Sequence, residues 1–234
     1  MTLPRILAFD VFGTVVDWHG SITHELESLN ILPEDVRAAD FVRTWRAGYK
    51  PAMARVMAGE LGWMLIDDLH RIILDEVLDE YGVDLDEARR RHLNLAWHRL
   101  DPWSDSVPGL TRLRQGFTLC SLSNGNLGLL ANMAKRAGLP WDLILSAEVF
   151  RAYKPHSATY LGVANVFDVE PSDVMLVAAH QDDLDAARDC GLRTAYIERP
   201  AEFGRDQQSK DVSGSPANDF HAESLEDLAT QLDC

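Results

Sequence analysis

Residues 5 to 9 read Arg-Ile-Leu-Ala-Phe, and the run stops at Asp10 with Gly13 close behind. A short apolar run without alternation that ends abruptly in polar residues is the pattern of a parallel strand buried on both faces and followed by a loop. Such a strand needs parallel neighbours, and those need crossover helices. The second half of the chain supplies both. After Asp101-Pro102-Trp103 and Pro108-Gly109 the signals alternate: strand over Thr118 to Leu122, helix over Leu127 to Gly138, short strand over Leu143 to Ser146. A helix over His156 to Phe167, a strand over Val174 to Ala178, a helix over Leu184 to Cys190 ended by Gly191, and a strand over Thr194 to Ile197 follow. Strands separated by helices of about 10–15 residues predict a parallel sheet covered on both faces. Arg205 to Asn218 reads as a surface loop. Ser224 to Leu232 reads as a closing helix with Ser224 as N-cap and Asp227 at its third position.

The first strand is not followed directly by its partner. From Ser21 to about Leu100, Phe41, Trp45, Leu69, Ile72, Ile73, Val77, Leu78 and Tyr81 recur at three- and four-residue spacings with Arg, Asp and Glu between them. Pro33, Gly62 and Gly82 divide this stretch into several helices. No convincing strand interrupts it. The expected architecture is therefore α/β, a parallel-sheet core of residues 1–17 and 101–234 with a helical cap, 18–100, inserted just after the first strand. Trp45, Trp63, Trp97 and Trp103 are expected in the packing of the cap and hinge. Trp18 and His19 stand at the entry to the cap, in reach of the crevice.

Composition excludes several classes. A chain of 234 residues, 46% of them hydrophobic, can bury one good-sized core plus a smaller unit. It has no run of about 18 apolar residues that could cross a membrane. The stretch Ile6 to Phe9 is too short for a signal peptide and runs into Asp10, so a cytoplasmic protein is expected. Cys120, Cys190 and Cys234 are few, odd in number and far apart, which argues against a disulfide or zinc framework. The formal net charge of -15 argues against nucleic acid or an anionic membrane as partner. An anionic substrate would need a local positive site. No GxGxxG or Walker pattern is present, which speaks against dinucleotides and nucleoside triphosphates.

In open parallel sheets ligands sit at the carboxyl ends of the strands. Asp10-Val11-Phe12-Gly13-Thr14 follows the first apolar run, and Ser123-Asn124-Gly125-Asn126 follows the second. Tyr153-Lys154-Pro155 precedes a helix, and His180, Asp182 and Asp183 follow the strand ending at Ala178. Each has an ordinary explanation alone: a turn former, a solvated loop lysine, acids complementing a helix dipole. Four such groups at successive strand mouths point instead to one active site.

With Phe9 included, these segments resemble the four motifs of the haloacid dehalogenase superfamily in order and spacing, over nearly the whole chain. The fold this implies has a Rossmann-like core with an inserted cap. Trp45-Arg46 and the spacing Tyr153-Lys154-Pro155…Tyr160 look like the type II branch, the L-2-haloacid dehalogenases. The resemblance implies hydrolysis of short 2-haloalkanoic acids in two steps. Asp10 displaces halide and forms an ester. Asp183 then acts as general base for the water that frees it, with Lys154 nearby. It also implies that Arg46 receives the halide or orients the substrate with help from Asn124, that Ser123 and Thr14 hydrogen-bond carboxylate oxygens, and that Tyr160 positions Lys154.

Superfamily phosphatases resemble one another in a second Asp two residues after the nucleophile, which acts as general acid. Here that position is Phe12, and a halide needs no proton to leave. The fourth motif opens with Ala178-Ala179-His180-Gln181 rather than an acidic residue, so no metal or other cofactor is expected. Ala178 and His180 replace the Ser and Asn of better known type II enzymes. His180 therefore stands as a candidate for positioning water, with a structural hydrogen bond as its other reading. A magnesium-dependent phosphatase, with Asp182 and Asp183 holding metal, and a non-catalytic binding module are the competing readings. The exposed face of the cap helices could support a homodimer.

Overall fold

The computed structural model describes residues 3–207 and 214–234. Six strands form one parallel sheet: β1 (Ile6–Phe9), β4 (Thr118–Ser123), β5 (Leu143–Ser146), β6 (Val174–Ala178), β7 (Arg193–Ile197) and β8 (Phe220–Ala222), in the order β5-β4-β1-β6-β7-β8. The central strand β1 is buried throughout, and its alternate residues feed opposite layers. Leu7 and Phe9 join the layer containing Leu110, Leu129 and Leu228; Ile6 and Ala8 join that containing Val163, Leu176 and Leu184. Each large side chain removed from water there contributes about 1.5–3 kcal/mol. A strand covered twice can be apolar throughout, which is why its sequence shows no alternation.

Two-residue strands β2 (Val16–Asp17) and β3 (Asp101–Pro102) pair antiparallel where the chain leaves the sheet and returns to it. Between them lie α1 (Trp18–Leu29), α2 (Ala38–Ala47), α3 (Tyr49–Met57), α4 (Ile66–Glu80), α5 (Glu87–Asn94) and a 3-10 turn, Leu95–His98. Helix α1 starts three residues before the periodicity at Ser21, because the Asp17 side chain caps it by accepting from Gly20 N at 2.7 Å. The junction is pinned to the sheet. Trp103 Nε1 donates to Gly13 O at 2.8 Å, and Ser106 Oγ to Val15 O at 2.6 Å.

The remaining helices are α6 (Ser106–Leu113), α7 (Leu127–Ala137), α8 (Ala147–Phe150), α9 (Ser157–Phe167), α10 (Gln181–Asp189) and α11 (Leu225–Gln231). The Pro108-Gly109 pair does not break the chain but lies within α6. Pro108 sits in the first turn, where no intrahelical donor is lost. A Cβ on Gly109 would stand 2.6 Å from the Leu225 backbone, so glycine lets α6 and α11 pack closely. Ser224 caps α11 as expected, accepting from Asp227 N at 3.0 Å. Helix α10 begins at Gln181, three residues before the apolar pattern, with Asp182 and Asp183 in its first turn. The short edge strand β8 carries no pattern long enough to read from sequence. Of the loop expected over 205–218, residues 208–213 lie outside the described residues, and Arg205–Gln207 form a 3-10 turn. No helix among the described residues is long and apolar enough to cross a membrane.

Candidate active site

Asp10 stands at the carboxyl end of β1, where β4 and β6 flank it and the connections diverge to either side. Its N–H donates to Val177 O at 3.0 Å, which fixes the backbone. Gly13 then turns the chain with φ of 85°, and a Cβ there would collide with the Glu202 carboxylate, so the turn requires glycine. The turn brings Thr14 back over Asp10. Thr14 Oγ1 donates to Asp10 Oδ2 at 2.8 Å and accepts from Ala179 N at 2.9 Å.

Asp10 is only 7% exposed, yet its carboxylate is stabilised as an anion. Lys154 Nζ donates to Oδ1 at 2.9 Å, and His180 Nδ1 lies 3.1 Å from Oδ2. Burial alone would push its pKa up; the Lys154 charge and the His180 hydrogen bond outweigh burial and hold it far below the usual carboxylate range. Lys154 also donates to Asp183 Oδ2 at 2.5 Å, while Tyr160 OH donates to Asp183 Oδ1 at 2.6 Å. Asp183 titrates above its ordinary value, because burial and the facing Asp10 charge oppose ionisation more than Lys154 favours it. The Lys154 backbone is fixed as well, its N–H donating to Asn124 Oδ1 at 2.8 Å.

On the other side of Asp10, His180 is clamped between two carboxylates. Its Nε2 lies 3.0 Å from each oxygen of Glu202, and Glu202 Oε1 also accepts from Trp18 Nε1 at 3.0 Å. Burial opposes the charged imidazole, but Glu202 and Asp10 prevail and raise its pKa to about 10. At neutral pH His180 is therefore a cation that donates to Asp10.

These groups open onto a cavity of about 470 Å³. Asp10, Asn124, Lys154, Tyr160, His180 and Asp183 line its sheet side. Arg46, Tyr49, Met53 and Met57, from α2 and α3, line the other, with Phe12 between. The Arg46 guanidinium lies among rings, with Cζ 4.1 Å from the Tyr49 centroid, 5.4 Å from Trp18 and 5.7 Å from Phe12. At the rim Lys50 Nζ meets Asp182 Oδ2 at 2.7 Å, linking α3 to α10. Asp182 thus faces an exposed lysine rather than Asp10.

Eight sequence candidates therefore meet at one cavity: Asp10, Phe12, Arg46, Asn124, Lys154, Tyr160, His180 and Asp183. Thr14 lies behind Asp10. Ser123 is turned into the β4 loop, where its Oγ accepts from Gly125 N at 3.1 Å. His19 contacts Arg43 Nη1 at 3.2 Å and lies outside the cavity lining. Tyr160 hydrogen-bonds Asp183 rather than Lys154. Sequence reasoning missed Tyr49, Met53 and Glu202. Tyr49 follows Arg46 by one helical step, a signal that was available. Glu202 lies five residues past the end of β7, and nothing local marks it as facing β1.

Magnesium, which supports phosphate chemistry in related folds, does not suit this donor set. Both Asp10 oxygens are already engaged, and two cationic groups, Lys154 and His180, flank the position a metal ion would share with Asp10 and Asp183. A divalent cation there would meet like charge instead of free carboxylate oxygens.

The fold and these motifs define a class. Residues 4–191 match the family described as haloacid dehalogenase-like hydrolase, and the chain belongs to it. Among solved structures it is similar to the L-2-haloacid dehalogenase PA0810, at 43% identity and a TM-score of 0.92 over 99% of this chain and 100% of that one. It is equally similar to the defluorinating L-2-haloacid dehalogenase Rha0230, at 43% identity and a TM-score of 0.93 over 99% of this chain and 96% of that one. A curated relative, haloacetate dehalogenase H-2 of Moraxella sp. (strain B), is 25% identical over 82% of this chain and 85% of its own length.

Proposed function

We propose that this protein is a hydrolytic dehalogenase that releases halide from short 2-haloalkanoic acids through an ester on Asp10. The observation that carries this reading is the pairing of an ionised, buried Asp10 with an apolar ring, Phe12, where a phosphatase would hold its acid. In the first step an Asp10 oxygen attacks the carbon bearing the halogen. The new C–O bond forms as the C–X bond breaks, and the electron pair leaves with the halide. Arg46 is the cation facing the departing charge. Its setting among rings, with little water, strengthens that attraction.

In the second step water attacks the Asp10 ester carbonyl, and its proton passes to Asp183. Burial makes Asp183 a stronger base than an exposed carboxylate, while Tyr160 and Lys154 fix its two oxygens. The bond between the Asp10 carbonyl carbon and the ester oxygen then breaks. That oxygen stays on the substrate carbon and takes up the proton held by Asp183, so 2-hydroxy acid leaves. Asp10 is restored with the oxygen of water, and its remaining proton passes to solvent. Lys154 and His180 stabilise the returning carboxylate. Ester formation removes one of the two negative partners of His180, so this imidazole holds its proton less firmly in the intermediate than at rest. We assign His180 to placing the water, with Glu202 holding the ring.

In this reading residues 18–100 are a cap over the core of 1–17 and 101–234. The cavity supports it, since Arg46, Tyr49, Met53 and Met57 come from the helical segment and the reacting groups from the sheet. The three cysteines are free thiols, which fits a cytoplasmic enzyme. A homodimer through the outer helical face, where Leu29 and Ile72 are exposed, is testable by sedimentation.

Halide release from a panel of 2-haloacids, fluoroacetate included, with chelator present tests the reaction. Chelator-resistant release is expected. Absence of release from every haloacid, with chelator-sensitive release of phosphate from esters, would replace this reading with the phosphatase one.

A further inference from the structure

Asn126 stands at the N-cap of α7, where an Asn side chain ordinarily accepts from the first N–H groups of its own helix. It makes no such bond. Glu148 Oε2, from α8, takes the Leu127 N–H at 2.7 Å instead. The buried Asn126 side chain turns to the helical segment between β2 and β3. Its Oδ1 accepts from Asp67 N at 3.3 Å, and its Nδ2 donates to Asp67 Oδ2 at 2.9 Å. Asp67 is the second residue of α4, and Leu65, at the N-cap of that helix, has no side-chain oxygen to offer. Asn126 thus caps a helix 59 positions away rather than its own.

Asp67 is itself held from its own side. His98 Nε2 lies 3.0 Å from Asp67 Oδ1 and 3.1 Å from Oδ2, and Asn94 Nδ2 donates to Asp67 O at 3.0 Å. Asn132, on α7, sets its Nδ2 3.0 Å from His98 Nδ1, so Nδ1 accepts and the ring N–H at Nε2 donates to Asp67. On the sheet side the loop after β4 passes the constraint on. Ser123 Oγ accepts from Gly125 N, and Gly125 lies so near Phe12 that a Cβ there would stand 3.1 Å from the ring. Asn124 Oδ1 then accepts from Lys154 N at 2.8 Å. Residues 124 and 126 are two positions apart, so the contact to Asp67 and the contact to Lys154 share one short, fixed piece of backbone. A side chain that forgoes its local cap for a distant partner breaks a local rule, and such breaks concentrate at functional positions.

We propose that Asp67 and Asn126 are positioning residues: by docking α4 on the β4 loop they hold Asn124, and through it Lys154, in place beside Asp10 and Asp183. This deepens the dehalogenase reading and rests on it for the reaction being positioned. Neither residue lines the cavity. The pairing needs an acceptor at 67 and an amide at 126. In Asp67→Asn, with the remaining oxygen kept by His98, an amide N–H faces an amide N–H. In Asn126→Asp two carboxylates face each other. Combining the two substitutions restores one donor against one acceptor and leaves the net charge unchanged.

Amide hydrogen exchange at Lys154, read from the peptide that contains Tyr153 and Lys154, tests the coupling independently of activity. Each single substitution is expected to speed exchange there about tenfold or more while β6 stays as in wild type. The double variant is expected to return to within about threefold of wild type. With the 2-haloacid that wild type turns over fastest, halide release at saturating substrate should fall about tenfold in each single variant and recover in the double. Unchanged exchange at Lys154 in both single variants, exchange that rises equally in β6, or a double variant no better than its worse parent overturns the proposal. If Asn126→Asp does not fold, Asp67→Asn and the double variant decide. The expected exchange pattern without halide release from any haloacid would overturn the reaction and leave the coupling standing; halide release with undisturbed exchange at Lys154 would do the reverse.

Discussion

Lys154 reaches Asp10 Oδ1 at 2.9 Å and extends on to Asp183 Oδ2 at 2.5 Å, so one ammonium joins the proposed nucleophile and the proposed base. With its side chain 6% exposed, this cation is shielded from solvent. Both carboxylates depend on it, and so does the order of the reaction. Asp10 must be an anion at the start, and Asp183 must be one when water attacks the ester.

Replacing Lys154 with Met leaves two buried carboxylates facing each other. Removing one partner of a buried ion pair costs about 3–5 kcal/mol. Urea denaturation of Lys154→Met is expected to show a loss of that size at neutral pH, smaller in acid where one carboxylate takes up a proton. Halide release should fall at least about a hundredfold, in the range seen when one fixed transition-state donor is lost. Lys154→Met with near wild-type turnover would remove the residue from the mechanism.

The His180 clamp makes stability depend on pH. A histidine with its pKa raised from 6.5 to about 10 adds stability that is complete below about 6.5 and is lost as pH rises towards about 10. The melting temperature of wild type is therefore expected to decline across that window. In His180→Gln the decline should be much shallower. Parallel profiles for the two proteins would mean that the imidazole is not charged at rest.

Tyr160 donates to Asp183 Oδ1 at 2.6 Å, a hydrogen bond to a charged group. Such bonds contribute about 1.5–3 kcal/mol. In Tyr160→Phe the acid limb of the rate profile is expected to move to higher pH, because Asp183 loses a donor that favours its ionised form. Rate measurements from pH 4 to pH 8, on the order of one point per half unit, check the shift. A rate lowered equally at every pH would instead assign Tyr160 to packing.

Much of this molecule is legible in its sequence, for physical reasons. The strands β1 and β6 are buried on both faces, and every residue in them is apolar; β4, also buried, admits Ser121 only because its Oγ donates to Leu145 O. Their ends are sharp because the next residues meet a ligand crevice. Asp10, Asn124, Lys154 and Asp183 were readable from that rule. Other features depend on contacts far apart in sequence. Glu202 meets His180 across the loop after β7, and Trp18 across 184 positions. Local pattern carries no trace of such a meeting. His70 looks like an ordinary polar residue in α4, and only tertiary packing reveals that it is buried without a partner. The three-residue strand β8 and the helix through Pro108-Gly109 were hidden by shortness and by breakers tolerated in a first turn.

The central claim is that Asp10 itself carries the substrate carbon. A single turnover with enzyme in excess, run in heavy-oxygen water, tests it directly. Water then attacks the ester carbonyl, so the heavy oxygen is expected in the Asp10 carboxylate, detected by mass spectrometry of its peptide, while the first 2-hydroxy acid released carries ordinary oxygen. Heavy oxygen in that first product, with an unlabelled Asp10 peptide, would show water attacking the haloacid directly and would contradict the account.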